Sequence, residues 1–313
     1  MTDLVAFGEA TLRLRAERGR RLEDTDTFAA GVGGPERNVV VTAARLGADA
    51  VWLSRLPATP LGERVVADLR GHGVRTGISW ADSNARLATA FVESGPTPRG
   101  RTTVTDSAGA AFESVDAANL PVNAVQSAGR FHVTGVTPAR SERAAAATET
   151  LLDAASEGDT VTSVDLQYEA TGWDAETART AAETLFPHVD VLFVSLAAAA
   201  DVLETDGDPV DIAYTLRTEN EFETVVLLRE DGGALAVHGE EVYETDAVDG
   251  DPIDDAGARD AFVGAFHAER IRGGDTGAAL THGAAAAALA STLEGDSVSV
   301  SREEVDRLAG AGG

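Results

Sequence analysis

The sequence predicts an α/β protein: a doubly wound, mostly parallel sheet flanked by helices, with a small β lid. Three observations carry that expectation. Apolar runs of strand length alternate with helix-length segments through most of the chain, the pattern of strand–helix–strand units. The chain has 313 residues, enough for one large domain or a domain with a smaller insertion. Its hydrophobic content of 43% is that of an ordinary globular core.

Taken in order, Leu4–Phe7 is a short apolar strand that opens at Gly8-Glu9 into a polar segment. Thr11–Leu14 and Leu87–Glu93 are short pieces bounded by polar, Gly and Pro residues, as strands of a small sheet would be. Asn38–Leu46 reads as a buried helix stopping at Gly47, Val51–Leu53 as a strand, and Gly62–Leu69 as a helix ending before Gly71-His72-Gly73. Beyond these, Phe131–Val133, Val161–Leu166, Val189–Val194, Thr224–Leu228 and Ala234–Val237 are strand candidates. Ser141–Ala155, Ala175–Thr184, Ala198–Leu203, Asp260–Ile271 and Gly277–Thr292 are helix candidates. No repeat of fixed period and no low-complexity linker interrupts them, so residues 1–313 read as a single domain.

Charge narrows the function classes. Against 52 Asp and Glu stand 25 basic residues, all of them Arg, for a formal charge of −27. Such a surface fits a protein kept in solution by concentrated salt, which screens self-repulsion within a few ångströms. Nucleic-acid binding needs basic patches, and none is visible. The absence of Cys removes disulfides, thiolate catalysis and Cys-ligated metal sites, and the six His are scattered, so no metal site is expected. A start without basic and apolar signal regions, and no apolar run of spanning length, predict a soluble cytoplasmic chain without a membrane partner.

The most informative stretch runs from Asp254 to Phe266. A turn of small residues leads into an Asp and then into an apolar, helix-compatible segment. That is a helix N-terminus whose free amides can meet a phosphate or a developing oxyanion. Asp260 stands at its mouth, where a carboxylate can accept a proton from an attacking hydroxyl; the alternative is a plain helix cap. A Walker loop is excluded because it needs Lys, and Gly31–Glu36 lacks the last glycine of a dinucleotide fingerprint. His132, in a strand, reads as a core residue rather than a base.

The string Gly257-Ala258-Arg259-Asp260 resembles the C-terminal Gly-Ala-Gly-Asp signature of the PfkB (ribokinase-like) sugar kinases, with Arg259 in place of the second glycine. Gly33-Gly34-Pro35-Glu36-Arg37-Asn38 resembles that family's first signature, with Pro35 and Arg37 replacing small residues. Leu53–Gly62 is similar too, with Pro57 and Thr59 where Gly and Asp are usual. Within the family the chain looks most like the 2-keto-3-deoxygluconate kinases, through Pro98-Arg99, Thr105–Ala111, His132–Pro138 and Asp165–Glu169 with Trp173.

The resemblance implies a lid from about residues 11–32 and 85–112, which in the family often pairs two subunits into a homodimer. It implies Asp260 as the catalytic base, the Gly257, Ala258 and Arg259 amides as an anion hole, and Gly34, Asn38 and Asp165 as the sugar-binding set. Arg229 and Gly232 fall on the turn that would approach the nucleotide, with ATP and Mg2+ as cofactors. Arg259 reads as a new phosphate clamp or as a plug in the anion hole.

Several family positions are changed. The arginines that would grip a sugar-acid carboxylate are Ser107 and Glu169, which predicts repulsion of a sugar acid and tolerance of a neutral sugar. The polar residues near the magnesium are Ser195 and Ala198, and a turn glycine has become Arg229. Glu36 and Glu169 read as substrate ligands or solvated charges, and Arg37 and Arg229 as their ion-pair partners. Two functions follow: an ATP-dependent kinase of a sugar or sugar acid, or a non-catalytic homologue (a pseudokinase) that binds a sugar, a nucleotide or a partner protein.

Overall fold

In the computed structural model, residues 2–168, 174–296 and 298–311 are described. The first strand, β1 (Leu4–Phe7), is wholly buried and is an inner strand of a nine-stranded sheet. Next come β2 (Thr11–Arg15), β3 (Ala29–Gly33), helix α1 (Pro35–Arg45), β4 (Ala50–Pro57), α2 (Pro60–Gly71) and β5 (Arg75–Ala81). Strands β6 (Ala88–Gly95) and β7 (Gly100–Asp106) precede α3 (Val122–Gln126), β8 (Arg130–Thr134), α4 (Glu142–Ser156) and β9 (Val161–Leu166). The second half continues through α5 (Ala175–Leu185), β10 (Val191–Ser195), α6 (Leu196–Asp201), α7 (Pro209–Glu219) and β11 (Thr224–Leu228). It closes with β12 (Ala234–His238), β13 (Glu241–Thr245), α8 (Ala258–Ile271), α9 (Thr276–Ser291) and α10 (Arg302–Ala311).

The large sheet has the order β13-β12-β11-β10-β9-β8-β1-β4-β5. Its pairs are parallel except at one edge, where β12 and β13 run antiparallel. The mixed α/β class read from the alternation is therefore the one observed. From β1 the chain winds one way to β4 and β5 and later returns to the other side as β8, so strand order reverses beside β1. Ligands of open α/β sheets bind at the carboxyl ends of the strands near such a reversal. The small sheet, β3-β2-β6-β7, pairs β2 with β6 in parallel and its outer pairs antiparallel. No helix among the described residues is long and apolar enough to cross a membrane.

Two glycines set the distances that matter. Gly34 precedes α1 with φ +147°, and a side chain there would meet the Glu9 carbonyl at 2.4 Å. It lets the end of β3 turn into the helix tightly against the segment after β1. Gly264 lies in α8, where a Cβ would stand 2.5 Å from the Val39 carbonyl and 2.7 Å from the Thr42 Cβ. Helices α1 and α8 thus approach backbone to backbone, which brings Asn38 beside Asp260. The alanine run of α9 is buried against α8.

Strands β3, β5, β7 and β13 and helices α3, α7 and α10 go beyond the sequence expectation. Every residue of β7 is exposed, so it shows no apolar alternation. Helix α7 carried a signal in Asp208-Pro209, with Asp208 capping the Val210 amide. Helix α1 starts at Pro35 rather than Asn38, and α6 at Leu196 rather than Ala198, because the Pro and the Ser195 cap sit upstream of the apolar run.

Candidate active site

Asp260 lies in the first turn of α8. Gly257, left-handed at φ +77°, is the N-cap, and no side chain closes the helix end. Among the described residues no backbone carbonyl accepts from the amides of Gly257, Arg259 or Asp260, while Ala258 donates to Asp255 at 3.1 Å. The Asp260 carboxylate accepts from Asn38 Nδ2 at 2.8 Å and from Gln167 Nε2 at 2.9 Å, one donor per oxygen. Burial pushes its pKa up to about 6 against these two donors, and the carboxylates of Asp165 and Asp296 add to the rise. A carboxylate in that range is ionised at neutral pH yet basic enough to take a proton from a hydroxyl.

The Asn38 amide is oriented from behind. Arg37 Nη1 donates to Asn38 Oδ1 at 2.9 Å, which turns the amide nitrogen toward Asp260. Arg37 is buried and is held by Asp68, through Nε at 3.2 Å and through Nη2. Its expected pairing with Glu36 does not form, because Glu36 faces the other way. There Glu36 Oε1 accepts from the Thr134 amide at 2.9 Å and from the hydroxyls of Thr134 and Thr137, both at 2.6 Å. Glu36 is fully buried, neither a solvated charge nor exposed to a ligand, and burial raises its pKa. It ties the first turn of α1 to the end of β8.

Asp165, the last but one residue of β9, has no exposure, and its oxygens are already engaged. Arg259 approaches it side on: Nε lies 3.0 and 2.9 Å from its two oxygens, and Nη2 binds Oδ1 and, at 3.3 Å, the Leu166 carbonyl. Gln167 Nε2 also donates to Asp165 Oδ2 at 2.9 Å. Arg259, Asp165, Gln167 and Asp260 therefore form one connected group. The helical backbone at Arg259 accommodates a side chain where glycine was the pattern.

On the nucleotide side, Ser195 Oγ caps α6 by accepting from the Ala198 amide at 3.1 Å, and Ala198 is a buried methyl group. Ala198 offers no oxygen and the Ser195 hydroxyl serves as a cap, so neither position supplies a carboxylate or amide ligand, and the pair does not fit a magnesium ion held by the protein. Arg229 and Gly232 share the turn from β11 to β12, two strands across the sheet from Asp165. Arg229 donates to the Thr245 carbonyl at 2.9 Å and pairs with Asp231, Glu244 and Asp246 at 3.5–3.9 Å. The open end of α8, with its free amides and the adjacent Arg259 cation, does fit a phosphoryl group.

Ser107 follows β7 and accepts the Ala110 amide at 2.9 Å, while Glu169 and Trp173 lie outside the described residues. His132 is a core residue, as its strand position implied. Its Nδ1 lies 2.9 Å from Ser163 Oγ, which also lies 3.2 Å from His267 Nε2, and burial lowers the His132 pKa to about 4. A cavity of about 230 Å³ opens between the small sheet and α1–α2, but its arginines are already paired, Arg13 and Arg15 with Asp296 and Arg37 with Asp68. Gln167 and Asp68 escaped the sequence reading. Gln167 had a signal, lying inside the Asp165–Glu169 segment that carries the resemblance; Asp68 had none.

Comparisons with known proteins point to one family. The family model for pfkB family carbohydrate kinases matches residues 1–303. A 2-dehydro-3-deoxygalactonokinase of Haloferax volcanii is 42% identical over 306 residues, 98% of this chain and 96% of that protein. The solved 2-dehydro-3-deoxygluconokinase of Thermotoga maritima superposes with a TM-score of 0.92 at 29% identity, covering 99% of this chain and 100% of that one. An E. coli structure in complex with ATP and Mg2+ has a TM-score of 0.89 at 21% identity over 99% and 100% of the two chains, a likeness of fold.

Proposed function

Because the chain belongs to the PfkB family of carbohydrate kinases, we propose that it is an ATP-dependent kinase of a 2-keto-3-deoxy sugar acid. The observation that carries the reading is Asp260: a carboxylate at an open helix N-terminus, held by two amide donors and poised to ionise near pH 6. Asp260 accepts the proton of the attacking hydroxyl, and the amides of Gly257, Arg259 and Asp260 face the charge of the transferring phosphoryl group. Gly34 keeps the backbone low enough for a sugar to approach α1. The substrate class rests on the names of the relatives, which are sugar-acid kinases. Ser107 and Glu169 argue for a neutral sugar instead, so the screen must include both.

The second reading, a non-catalytic homologue, is favoured by Arg229, folded onto the β12–β13 hairpin side of its turn, and by the Ser195 cap. We read the −27 charge as adaptation to concentrated salt, so assays belong in molar KCl. The test is ADP formation from ATP with 2-keto-3-deoxygluconate, 2-keto-3-deoxygalactonate and neutral hexoses, comparing the native chain with Asp260→Asn. Sugar-dependent ADP lost in the variant supports the kinase. Identical traces from both proteins support the non-catalytic reading.

A further inference from the structure

Arg259 stands in the position where the family signature has glycine, and its geometry is that of a prepared ligand rather than of a side chain turned out to solvent. Its Nε and Nη2 are taken by Asp165 and the Leu166 carbonyl, which leaves the two N–H groups of Nη1 without an acceptor among the described residues. The side chain is 28% exposed, whereas Asp165 has no exposure. A buried carboxylate gripping one flank of a guanidinium fixes the plane of the other flank, so the remaining donors need no reorganisation to meet an oxyanion. The same cation is linked through Asp165 and Gln167 to Asp260. Without it the mouth of α8 would present two carboxylates, Asp165 and Asp260, to any incoming anion.

We propose that Arg259 is a phosphate-gripping residue for the γ-phosphoryl group of the nucleotide, held in position by Asp165. It supplies in the protein the positive charge that Ser195 and Ala198 do not recruit through a metal ion. Asp165 is then a positioning residue, not a sugar ligand. The proposal rests on the kinase reading, but nucleotide affinity tests it apart from turnover.

The experiment is calorimetric titration of ATP and of ADP, each with Mg2+ and in molar KCl, into the native chain and three variants. Arg259→Gly combined with Asp165→Asn removes the cation without stranding a buried carboxylate, so loss of folding does not confuse the result. Arg259→Lys keeps the charge but not the planar fork. Asp260→Asn serves as the turnover control. The native chain is expected to bind ATP at least roughly tenfold more tightly than ADP, the preference of one charge-assisted grip on the terminal phosphate. In the double variant ATP affinity falls to that of ADP while ADP affinity changes less than about twofold, and Arg259→Lys lies between. An unchanged ATP-to-ADP ratio in the double variant would mean that Arg259 is only the counterion of Asp165, and overturns the proposal. Faster turnover in the double variant would identify a plug and overturn it as well, as would loss of sugar-acid affinity with ATP affinity intact. Native protein that binds neither nucleotide refutes it outright. If ATP preference is present and Arg259-dependent but no sugar yields ADP, the phosphate grip stands and the kinase reading fails.

Discussion

Asn38 and Asp260 are 222 positions apart in the chain, yet the Asn38 amide nitrogen lies 2.8 Å from the Asp260 carboxylate. The contact depends on the close crossing of α1 and α8 at Gly264 and on Arg37, which fixes the face that Asn38 presents. One carboxylate oxygen is thereby assigned to α1 and the other, through Gln167, to the end of β9. The carboxylate proposed as the base is held by two separate segments of the chain.

Replacing Asp260 by Asn removes the proposed proton acceptor while keeping its size. Turnover is expected to fall about 10²–10⁴-fold, the usual contribution of a positioned base. In the native chain kcat should rise with pH along a limb centred on about 6, set chiefly by burial of Asp260. A pH–rate profile with no inflection between 5 and 7 would assign the base elsewhere.

Arg37→Leu leaves Asn38 Oδ1 without its donor and frees the amide to turn over. Losing one of the two donors to Asp260 raises that carboxyl's pKa further, so the limb should move to higher pH, with roughly a three- to tenfold loss of rate at pH 7. Asp68→Asn, which weakens the anchor of Arg37 but leaves its bond to Asn38, should move the limb less. Equal shifts in the two variants would argue for a general loosening of α1.

Gly34→Ala places a methyl group 2.4 Å from the Glu9 carbonyl at a φ that side chains avoid. The strain should cost about 2–4 kcal/mol of stability. It should also raise the KM for the sugar more than that for ATP, because the proposed function puts Gly34 on the sugar side. Urea unfolding in molar KCl and paired KM measurements check both points.

Glu9 has its pKa raised to about 7, mainly by burial, with the Arg140 cation opposing and Glu113 and Glu36 adding to the rise. A raised folded pKa means that the folded chain holds the proton more tightly than the unfolded one. The stability this gives is full below about pH 4.5 and is lost as pH climbs to about 7. Glu9→Gln cannot titrate, so its stability relative to the native chain should improve by up to roughly 3 kcal/mol between pH 4.5 and 8. Melting curves across that range that stay parallel would show that Glu9 is not buried in this way.

The sequence by itself determined the α/β class and most of the helices and parallel strands, because each is written in local periodicity and in punctuation by Gly, Pro and capping residues. Val161–Leu166 and Thr224–Leu228 have the bounds their apolar runs indicated. The exposed strand β7 and the polar edge strand β5 left no such trace, since what defines them is a partner strand and not their own residues. The signatures also nominated Asp260, Asn38, Gly34 and Asp165. What they do to one another was decided only by the tertiary structure. Arg37 found Asp68 rather than Glu36, Glu36 became a buried tether to β8, and Arg259 closed on Asp165. Ion pairing depends on which side of a helix or strand end each charge faces and on what stands within about 4 Å, and a chain this rich in acids gives every arginine many candidate partners. Periodicity fixes the elements; the crossing of α1 with α8 and the burial of Asp165 select among those partners.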